Sequence, residues 1–537
     1  MRSCSDERSD KSIAVIPFQN LSAEKENAYF ADGVQEEVLT HLAKIADLKV
    51  ISRTSTQQYE NKPRNLREIA NQLDVANILE GSAQKVADRV RVSVQLVNAE
   101  TNSHVWGETY DRKLTDIFEV ESEIAKGIAA TLQAKLTGRD EQALTVKPTN
   151  NPEVYDAYLR GLAFEARSAH SIDLVEKVVG FYARAVQLDP NFALAWARLS
   201  RAHSLFYLVS ADTTAARRDA AKRALDSAQQ LQPDATDIQL ALGYYQYHVL
   251  RDYALAKATF SRVRKMLPGS SEVLEALASV TRREGNWNES VTYWEEALVL
   301  DPRNAELLSQ AAFTYTMLRQ FPAALKLYDH ALDILPNDSD VMASKASIYQ
   351  AQSNVDQAAK SLSQITAQTA SESAFRTKMT QLRLERNHDE AIRLLQARQT
   401  QFHFDSEIDR GLNQVLLTLA QRLAGDSAGS KATAEEARNT VTVLCKDQPE
   451  NAFFAGLLSL AIAMLGEKDS AINEAERAIK LLPTSKDNLY GPGFEENLAL
   501  IHAVFGENSR AISTLTRLLQ TPYVSAFYGP IPITAAS

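Results

Sequence analysis

Two related stretches of the chain set its architecture: WNESVTYWEEALVLDP at residues 287–302 and FPAALKLYDHALDILP at residues 321–336. Both have apolar and aromatic residues at helical spacing, and both end in proline, which stops a helix because it has no N–H to donate. The two prolines are 34 residues apart. Similar helical tails end at Pro190, Pro233, Pro268, Pro449 and Pro483. The chain is therefore predicted to repeat one helical unit.

A period of 34 residues is typical of the tetratricopeptide repeat, a pair of antiparallel helices in which small and large residues interlock. The register places a small residue four positions before an aromatic one at Ala256 and Phe260, Ser290 and Trp294, and Ala324 and Tyr328. The interval of 113 residues between Pro336 and Pro449 has room for about three further units. We therefore predict about nine or ten helix pairs, an all-α superhelix of the α-solenoid class.

The first part of the chain does not share this period. SIAVIPF at residues 12–18 is a short apolar run that predicts a buried strand, and RVRVSVQLV at residues 89–97 alternates like a strand with one wet face. Further strands are predicted at residues 48–52, 76–85 and 104–110, and helices at 24–45, 66–73 and 116–136. Together they give a predicted β-α-β-α-β-β-β-α order. The predicted divisions are a disordered start at 1–11, an α/β domain at 12–137, a linker at 138–152, the repeat array at 153–520 and a shortened carboxy-terminal tail at 521–537.

Five stretches of the α/β domain are similar to one bacterial family. They are SIAVIPFQNLS at 12–22, AYFADGVQEEVLTHL at 28–42, LKVISRTS at 48–55, the segment 78–112 and IFEVESEIAKGIA at 117–129. They resemble the TolB amino-terminal domain, which is related in fold to the CsgG and FlgO proteins. The resemblance implies an α/β fold that precedes tetratricopeptide repeats and follows a transmembrane helix, a serine/threonine kinase, an adenylate or guanylate cyclase, or a winged-helix module. It leaves the activity of this chain open.

Charge and motifs exclude several functional classes. The chain has 537 residues and a net charge of −10, from 58 basic and 68 acidic residues, so we expect no nucleic-acid partner. Cys4 and Cys445 lie in no CxxC pattern, and no GxSxG, Walker A, GxGxxG, kinase or HExxH motif occurs. We therefore predict no catalytic, cofactor-binding or metal-binding residues, no cofactor, and a protein that is not an enzyme.

Two polar groups in the α/β domain have alternative interpretations. Asp32, Glu36 and Glu37 are predicted at the start of a helix, where the macrodipole favours negative charge. The alternatives are a cation or partner contact, or a cryptic enzyme site, which would require a deep polar pocket at these carboxylates. Residues 53–55, RTS, are predicted to form a solvated turn, with anion binding as the alternative.

The concave surface of a repeat array is lined mainly by the first helix of each pair. On this basis the predicted partner contacts are Tyr245, His248, Arg282, Arg283 and Phe313. Aromatic and basic side chains of this kind suit a bound protein or peptide, and the alternative is that they are ordinary surface groups. The predicted function is a non-enzymatic scaffold or adaptor in which an α/β sensing or docking domain is joined to the repeats. The alternative is the regulatory portion of an adenylate cyclase, a serine/threonine kinase or a transcriptional regulator whose effector is absent from this chain.

Location is left open by the sequence. The amino terminus has no apolar core of a secretory signal. The longest uncharged apolar stretch, residues 452–466, has 15 residues, short of the ~20 that a spanning helix needs. We expect no membrane span and a chain that is soluble as written. It would be cytoplasmic, or membrane-associated or periplasmic if a transmembrane helix precedes it. The oligomeric state is left open.

Overall fold

A computed structural model describes residues 10–22, 27–60, 65–138, 151–165, 172–402 and 406–525, and the isolated residues 141, 144, 149 and 404. Most of the predicted disordered start, most of the predicted linker and the tail after residue 525 lie outside the described residues. Contacts divide the chain into two compact units. The first unit comprises residues 1–209, 215–280 and 292–307, and the second comprises residues 210–214, 281–291 and 308–537.

A mixed β-sheet forms the base of the α/β part in the first unit. Its strands are β1 (Ser12–Val15), β2 (Gln19–Asn20), β3 (Lys49–Val50), β4 (Asn77–Val86), β5 (Arg89–Asn98) and β6 (Ser103–Lys113). The strand order is β3-β1-β4-β5-β6, and β2 also pairs with β4. Strand β1 is parallel to β3 and β4, whereas β4, β5 and β6 form an antiparallel meander. The parallel strands need helical crossovers, which the intervening helices supply.

Helices cover both faces of this sheet. They are α1 (Ala28–Ala43), α2 (Arg53–Gln57), α3 (Leu66–Leu73) and α4 (Ile117–Thr131). Ile13 and Val15 of β1 belong to the core with α1 and α4, whereas Ala14 and Ile16 belong to a smaller core with α3. Strand β1 is thus buried on both sides, as its continuous apolar sequence predicts. The predicted element order is observed, with β2 and α2 as additions.

The described residues after α4 contain ten pairs of helices. These are α5 (Pro152–Glu165) with α6 (Ile172–Leu188), α7 (Ala193–Leu208) with α8 (Ala215–Leu231), α9 (Thr236–Tyr245) with α10 (Tyr253–Met266), α11 (Ser271–Arg283) with α12 (Trp287–Leu300), α13 (Ala305–Met317) with α14 (Phe321–Ile334), α15 (Ser339–Ala351) with α16 (Val355–Ser361), α17 (Glu372–Leu384) with α18 (His388–Gln401), α19 (Glu407–Leu423) with α20 (Ser427–Asp447), α21 (Ala452–Met464) with α22 (Lys468–Leu481), and α23 (Gly491–Val504) with α24 (Asn508–Leu518). The predicted fold class, an α/β part followed by an all-α tetratricopeptide array, is confirmed. The predicted domain boundaries stay a prediction.

Small residues allow the two helices of a pair to approach closely. A Cβ atom on Gly243 of α9 would lie 2.4 Å from Cε1 of Phe260 on α10. A Cβ atom on Gly161 of α5 would lie 2.3 Å from Cε1 of Tyr182 on α6. Both aromatic side chains are fully buried. The interlocking of small and large residues that the repeat register predicts is therefore present in both pairs.

The first helix pair also packs against the α/β part within the first unit. A Cβ atom on Gly33 of α1 would lie 2.7 Å from Cδ2 and 2.9 Å from Cβ of Leu159 on α5. Tyr155 and Tyr158 of α5 are buried in the same core as α1 and α4. Helix α5 is therefore both the first helix of the array and a cover for the α/β part.

Segments that are far apart in sequence meet within the second unit. Arg283 Nη1 lies 2.8 Å from Oδ2 of Asp487. The backbone N–H of Asn488 donates to the carbonyl oxygen of Arg283 over 2.9 Å. The amide of Asn451 donates to the carbonyl oxygen of Ser210 over 3.2 Å. These contacts hold residues 210–214 and 281–291 to the later helices of that unit.

Within the ranges that the structure describes, no helix combines the length and the apolar character that crossing a bilayer requires.

Candidate functional site

A charged pocket lies within the first unit, between α1 and α2 on one side and the first helices of four successive pairs, α5, α7, α9 and α11, on the other. Its volume is about 300 Å³. The apolar side chains of Leu39, Leu162 and Leu240 line part of the pocket wall. Thr54 also lines the pocket and is exposed to solvent. The first helices of these pairs form a shared surface, which α1 and α2 cover in part. The pocket is the part of that surface that they leave open.

Arg53 begins α2 and is only 8% exposed, so the predicted solvated turn at residues 53–55 is wrong. Its guanidinium lies 3.1 Å from Oδ1 of Asp32 and 4.0 Å from Oε2 of Glu36. The hydroxyls of Ser52 and Ser55 donate to the Asp301 carboxylate, just after α12. A sequence cannot show this burial, because the groups that surround α2 come from distant parts of the chain.

The other basic residues of the pocket also have carboxylate partners. Arg198 lies 3.2 Å from Glu165, Arg201 pairs with Glu272, and Lys44 lies 3.5 Å from Asp237. Asp237 and Glu272 occupy the first turns of α9 and α11, where the helix dipole favours negative charge. Burial alone would raise the pKa of Asp237, but the charges of Lys44 and Arg198 outweigh it and hold that pKa below its usual value.

Each of the four basic side chains in the pocket wall is thus already neutralised by an acid. A simple anion would have to displace a carboxylate from an arginine and leave that carboxylate without a partner, which costs free energy in a partly buried site. A ligand that carries both signs of charge can replace both members of a pair. The pocket therefore suits a zwitterionic or mixed-charge ligand.

The acidic residues of α1 are not at its start, which corrects the helix-dipole interpretation. Helix α1 begins at Ala28, and its first turn contains no acidic residue. Asp32 and Glu36 instead contact Arg53 at the pocket. Glu37 points into the core, where it meets His41 of the same helix and Glu121 of α4.

Glu37, His41 and Glu121 form a buried cluster of titratable groups. Their exposed fractions are 2%, 6% and 0%, and one potential ligand atom from each lies within 4.8 Å of the other two. The Nδ1 atom of His41 lies 2.8 Å from the backbone carbonyl oxygen of Glu37. Since a carbonyl oxygen only accepts, Nδ1 carries the proton in this arrangement and Nε2 has the free lone pair.

Hydroxyl groups from α5 hold one oxygen of each carboxylate. Tyr158 donates to Oε1 of Glu37 over 3.1 Å, and Tyr155 donates to Oε1 of Glu121. Burial raises the pKa of Glu37 to about 7, and burial together with the Glu37 charge raises the pKa of Glu121 well above its usual value. Burial, with the nearby Lys44 charge, lowers the pKa of His41 to about 4. The imidazole is therefore neutral at physiological pH.

The residues predicted as partner contacts are mostly engaged inside the fold. In the first unit, Tyr245 packs in an apolar core, and the ring of His248 lies 5.2 Å from Tyr244 and 4.7 Å from Tyr247. In the second unit, the Arg282 guanidinium lies 5.0 Å from the centre of the Phe313 ring and bonds to residues of α13, and Arg283 pairs with Asp487. All but the half-buried Phe313 are at most 9% exposed. Their role as partner contacts stays a prediction.

Sequence reasoning did not bring Glu37, His41 and Glu121 together. The spacing of four residues between Glu37 and His41 places both on one face of a helix, and this was the available signal. The third member follows more than eighty residues later, on a helix whose packing against α1 no local pattern specifies.

Family models match two parts of the chain. Residues 9–126 match the second domain of the HilA/YgeH-like transcriptional regulators, and residues 316–382 match a tetratricopeptide repeat model. The chain contains tetratricopeptide repeats. The resemblance of the α/β part to the TolB amino-terminal domain is not confirmed by these matches and stays a prediction.

Among curated proteins, "Putative adenylate cyclase 3" of Rhizobium meliloti (strain 1021) is 37% identical over 193 residues, which are 35% of this chain. The chain spans about a third of the length of that relative, 32%. A tetratricopeptide repeat protein from Parabacteroides merdae has 18% identity and a TM-score of 0.35, with 50% of this chain and 98% of that chain covered. A human IFIT1 dimer with m7Gppp-AAAA has 14% identity and a TM-score of 0.38, with 68% and 77% covered.

Proposed function

We propose that this chain is a non-enzymatic protein-interaction scaffold, in which the α/β part docks or senses and the helix pairs bind a protein or peptide. Repeat arrays bind partners on the extended face that their successive repeats build. The observation that carries the proposal is the charged pocket on such a face in the first unit, where α1 and α2 leave part of the first-helix surface open.

The chemistry of this pocket favours a peptide segment with acidic and basic side chains. An incoming carboxylate can take the place of Glu272 on Arg201, whose guanidinium also lies 4.5 Å from the centre of the Tyr244 ring. An incoming cation can then pair with the released acid. The apolar part of the wall, which includes Leu39 and Leu240, accommodates the carbon portions of the ligand.

A random peptide library displayed on phage, selected on the immobilised full chain, tests this function. Thr54→Trp places a bulky side chain at the pocket while keeping all four ion pairs, and Thr101→Trp, at the exposed β5–β6 turn, is the matched control. We expect enriched peptides to carry both signs of charge and to bind Thr54→Trp at least about tenfold more weakly, about 1.4 kcal/mol. Thr101→Trp should bind them like the unmodified chain. Absence of enrichment, or equal binding by both variants, contradicts the proposal.

A second candidate function is the regulatory portion of a larger signalling or transcriptional protein. Two likenesses support it: the match of residues 9–126 to the HilA/YgeH-like regulators and the partial identity to adenylate cyclase 3. The TolB amino-terminal resemblance points in the same direction, because that family joins the domain to cyclases, kinases and DNA-binding modules. Neither candidate gives this chain a catalytic step. Cyclic AMP formation from ATP by the purified chain, above a heat-inactivated control, would overturn both.

A further inference from the structure

We propose that Glu37, His41 and Glu121 form a binding site for one divalent transition-metal ion, with Zn²⁺ as the best match to their chemistry. The inference is independent of the proposed function, since none of these three residues lines the charged pocket. One imidazole and two carboxylates are ligands that Zn²⁺ accepts in proteins, at about 2.0–2.2 Å. Because the three donor atoms already lie within 4.8 Å of one another, side-chain adjustments bring them to a common ion.

The orientation of the histidine supports this assignment. Histidine ligands of metals almost always donate their other ring N–H to a carboxylate, a backbone carbonyl or water. His41 does so from Nδ1 to the carbonyl oxygen of Glu37, 2.8 Å away. The lone pair of Nε2 is thereby left for an ion.

Oxygen Oε2 of Glu121 is the second independent observation. It is buried and has no hydrogen-bond partner, in a residue with no exposed surface. An unpaired buried acceptor destabilises the folded state, and more so when the group is charged. Its sister oxygen Oε1 is held by Tyr155, as Oε1 of Glu37 is held by Tyr158. The tyrosines thus orient the carboxylates and leave the remaining oxygens for coordination.

The charges of the cluster are compatible with a divalent ion. Two of the neighbouring cations are engaged elsewhere, Lys44 with Asp237 and Arg198 with Glu165. Without an ion, protons on the two carboxyl groups avoid the cost of buried negative charge. A divalent cation can replace those protons, and the two carboxylates then balance its charge. The bound ion would cross-link α1 and α4 of the α/β part, with α5 of the first helix pair bonded to the same carboxylates.

The test measures the metal content of the full chain. The unmodified protein, Glu121→Gln, His41→Gln and the control Glu123→Gln are expressed with added Zn²⁺, passed over a chelating column and analysed by mass spectrometry of the elements. Glu123 is an exposed carboxylate on the same helix as Glu121. We expect one Zn²⁺ per chain in the unmodified protein and in Glu123→Gln. Each ligand variant should retain far less than one Zn²⁺ per chain, because loss of a ligand weakens binding more than the roughly 10–100-fold that loss of a ligand's hydrogen-bond partner costs.

A second measurement keeps the test valid if a ligand variant does not fold. The unmodified chain is depleted of metal in a mild denaturant with EDTA, returned to buffer, and titrated with Co²⁺, whose visible absorption reports a four-coordinate site. A saturable absorption at one Co²⁺ per chain, displaced by Zn²⁺, supports the proposal. Unmodified protein that retains no Zn²⁺ and develops no Co²⁺ absorption overturns it. Equal Zn²⁺ retention by the unmodified chain and by folded Glu121→Gln and His41→Gln also overturns it.

Discussion

Asp487 in the second unit and Glu121 in the first unit are carboxylates with no exposed surface, yet their surroundings are opposite. Asp487 faces Arg283 at 2.8 Å and accepts two backbone N–H groups through its other oxygen. Glu121 receives one tyrosine hydroxyl and has an oxygen with no partner. Burial costs an ion far less when a counter-charge is in contact. Asp487 thus has a cation in contact with it, whereas Glu121 requires a proton or a metal ion.

Removal of the Arg283 side chain should have the largest effect on stability, because it leaves Asp487 buried without its cation, as Glu121 is. We expect Arg283→Ala to lower the free energy of unfolding by about 3–5 kcal/mol, the usual cost of breaking a buried ion pair from one side. The measurement is urea unfolding of the full chain followed by far-ultraviolet circular dichroism.

Arg393→Ala is the control for that variant. Arg393 pairs with Glu390 on the surface of α18, and its side chain is 65% exposed. Exposed pairs contribute little, so this substitution should hardly move the unfolding midpoint. If Arg283→Ala and Arg393→Ala behave alike, the buried pair is not what holds residues 281–291 in place.

The apolar contact between Gly243 and Phe260 gives a loss of stability with which the loss of the buried ion pair can be compared. In Gly243→Ala the new methyl group would lie 2.4 Å from Phe260, so α9 and α10 must separate. We expect a loss of about 1–3 kcal/mol, which is typical of overpacking. The same unfolding experiment measures it.

Gly180→Ala is the matched change without a clash, since no atom lies within 4 Å of a Cβ built on this exposed glycine of α6. It should stabilise the chain by about 0.5–1 kcal/mol, because alanine is the better helix former. If both variants lower the free energy of unfolding, a steric clash is not what makes glycine necessary at these positions.

The smallest effect is expected for Glu121→Gln in the presence of EDTA. Glutamine keeps an oxygen for the Tyr155 hydroxyl and removes the charge. We therefore expect the unfolding free energy of the metal-free protein to change by less than about 1 kcal/mol. Added Zn²⁺ should then stabilise only the unmodified chain, because a ligand that binds the folded state raises its stability. If Glu121→Gln in EDTA lowers the free energy of unfolding as much as Arg283→Ala does, then Glu121 is ionised and stabilised in the metal-free protein, which contradicts this prediction.

The sequence predicts the repeats well because their determinants are close together in the chain. Gly243 and Phe260 meet within one helix pair, and the 34-residue period repeats the spacing of small and aromatic residues along the chain. It predicts the sites poorly. The partners of Arg53 come from other elements, and Glu121 is distant from Glu37 in sequence. His248 lies in a π-helical turn, Gln246–Leu250, whose wider winding α-helical spacing does not describe.

Gly33 on α1 has a practical consequence for anyone who divides this chain. Since α1 touches Leu159 without a spacer, a fragment that starts near residue 152 would present Tyr155, Tyr158 and Leu159 to water instead of to their natural cover. Such a fragment would expose an apolar patch that is buried in the full chain. Proteins captured by the fragment would then include those that bind this artificial patch. Binding studies are therefore better interpreted on the undivided polypeptide.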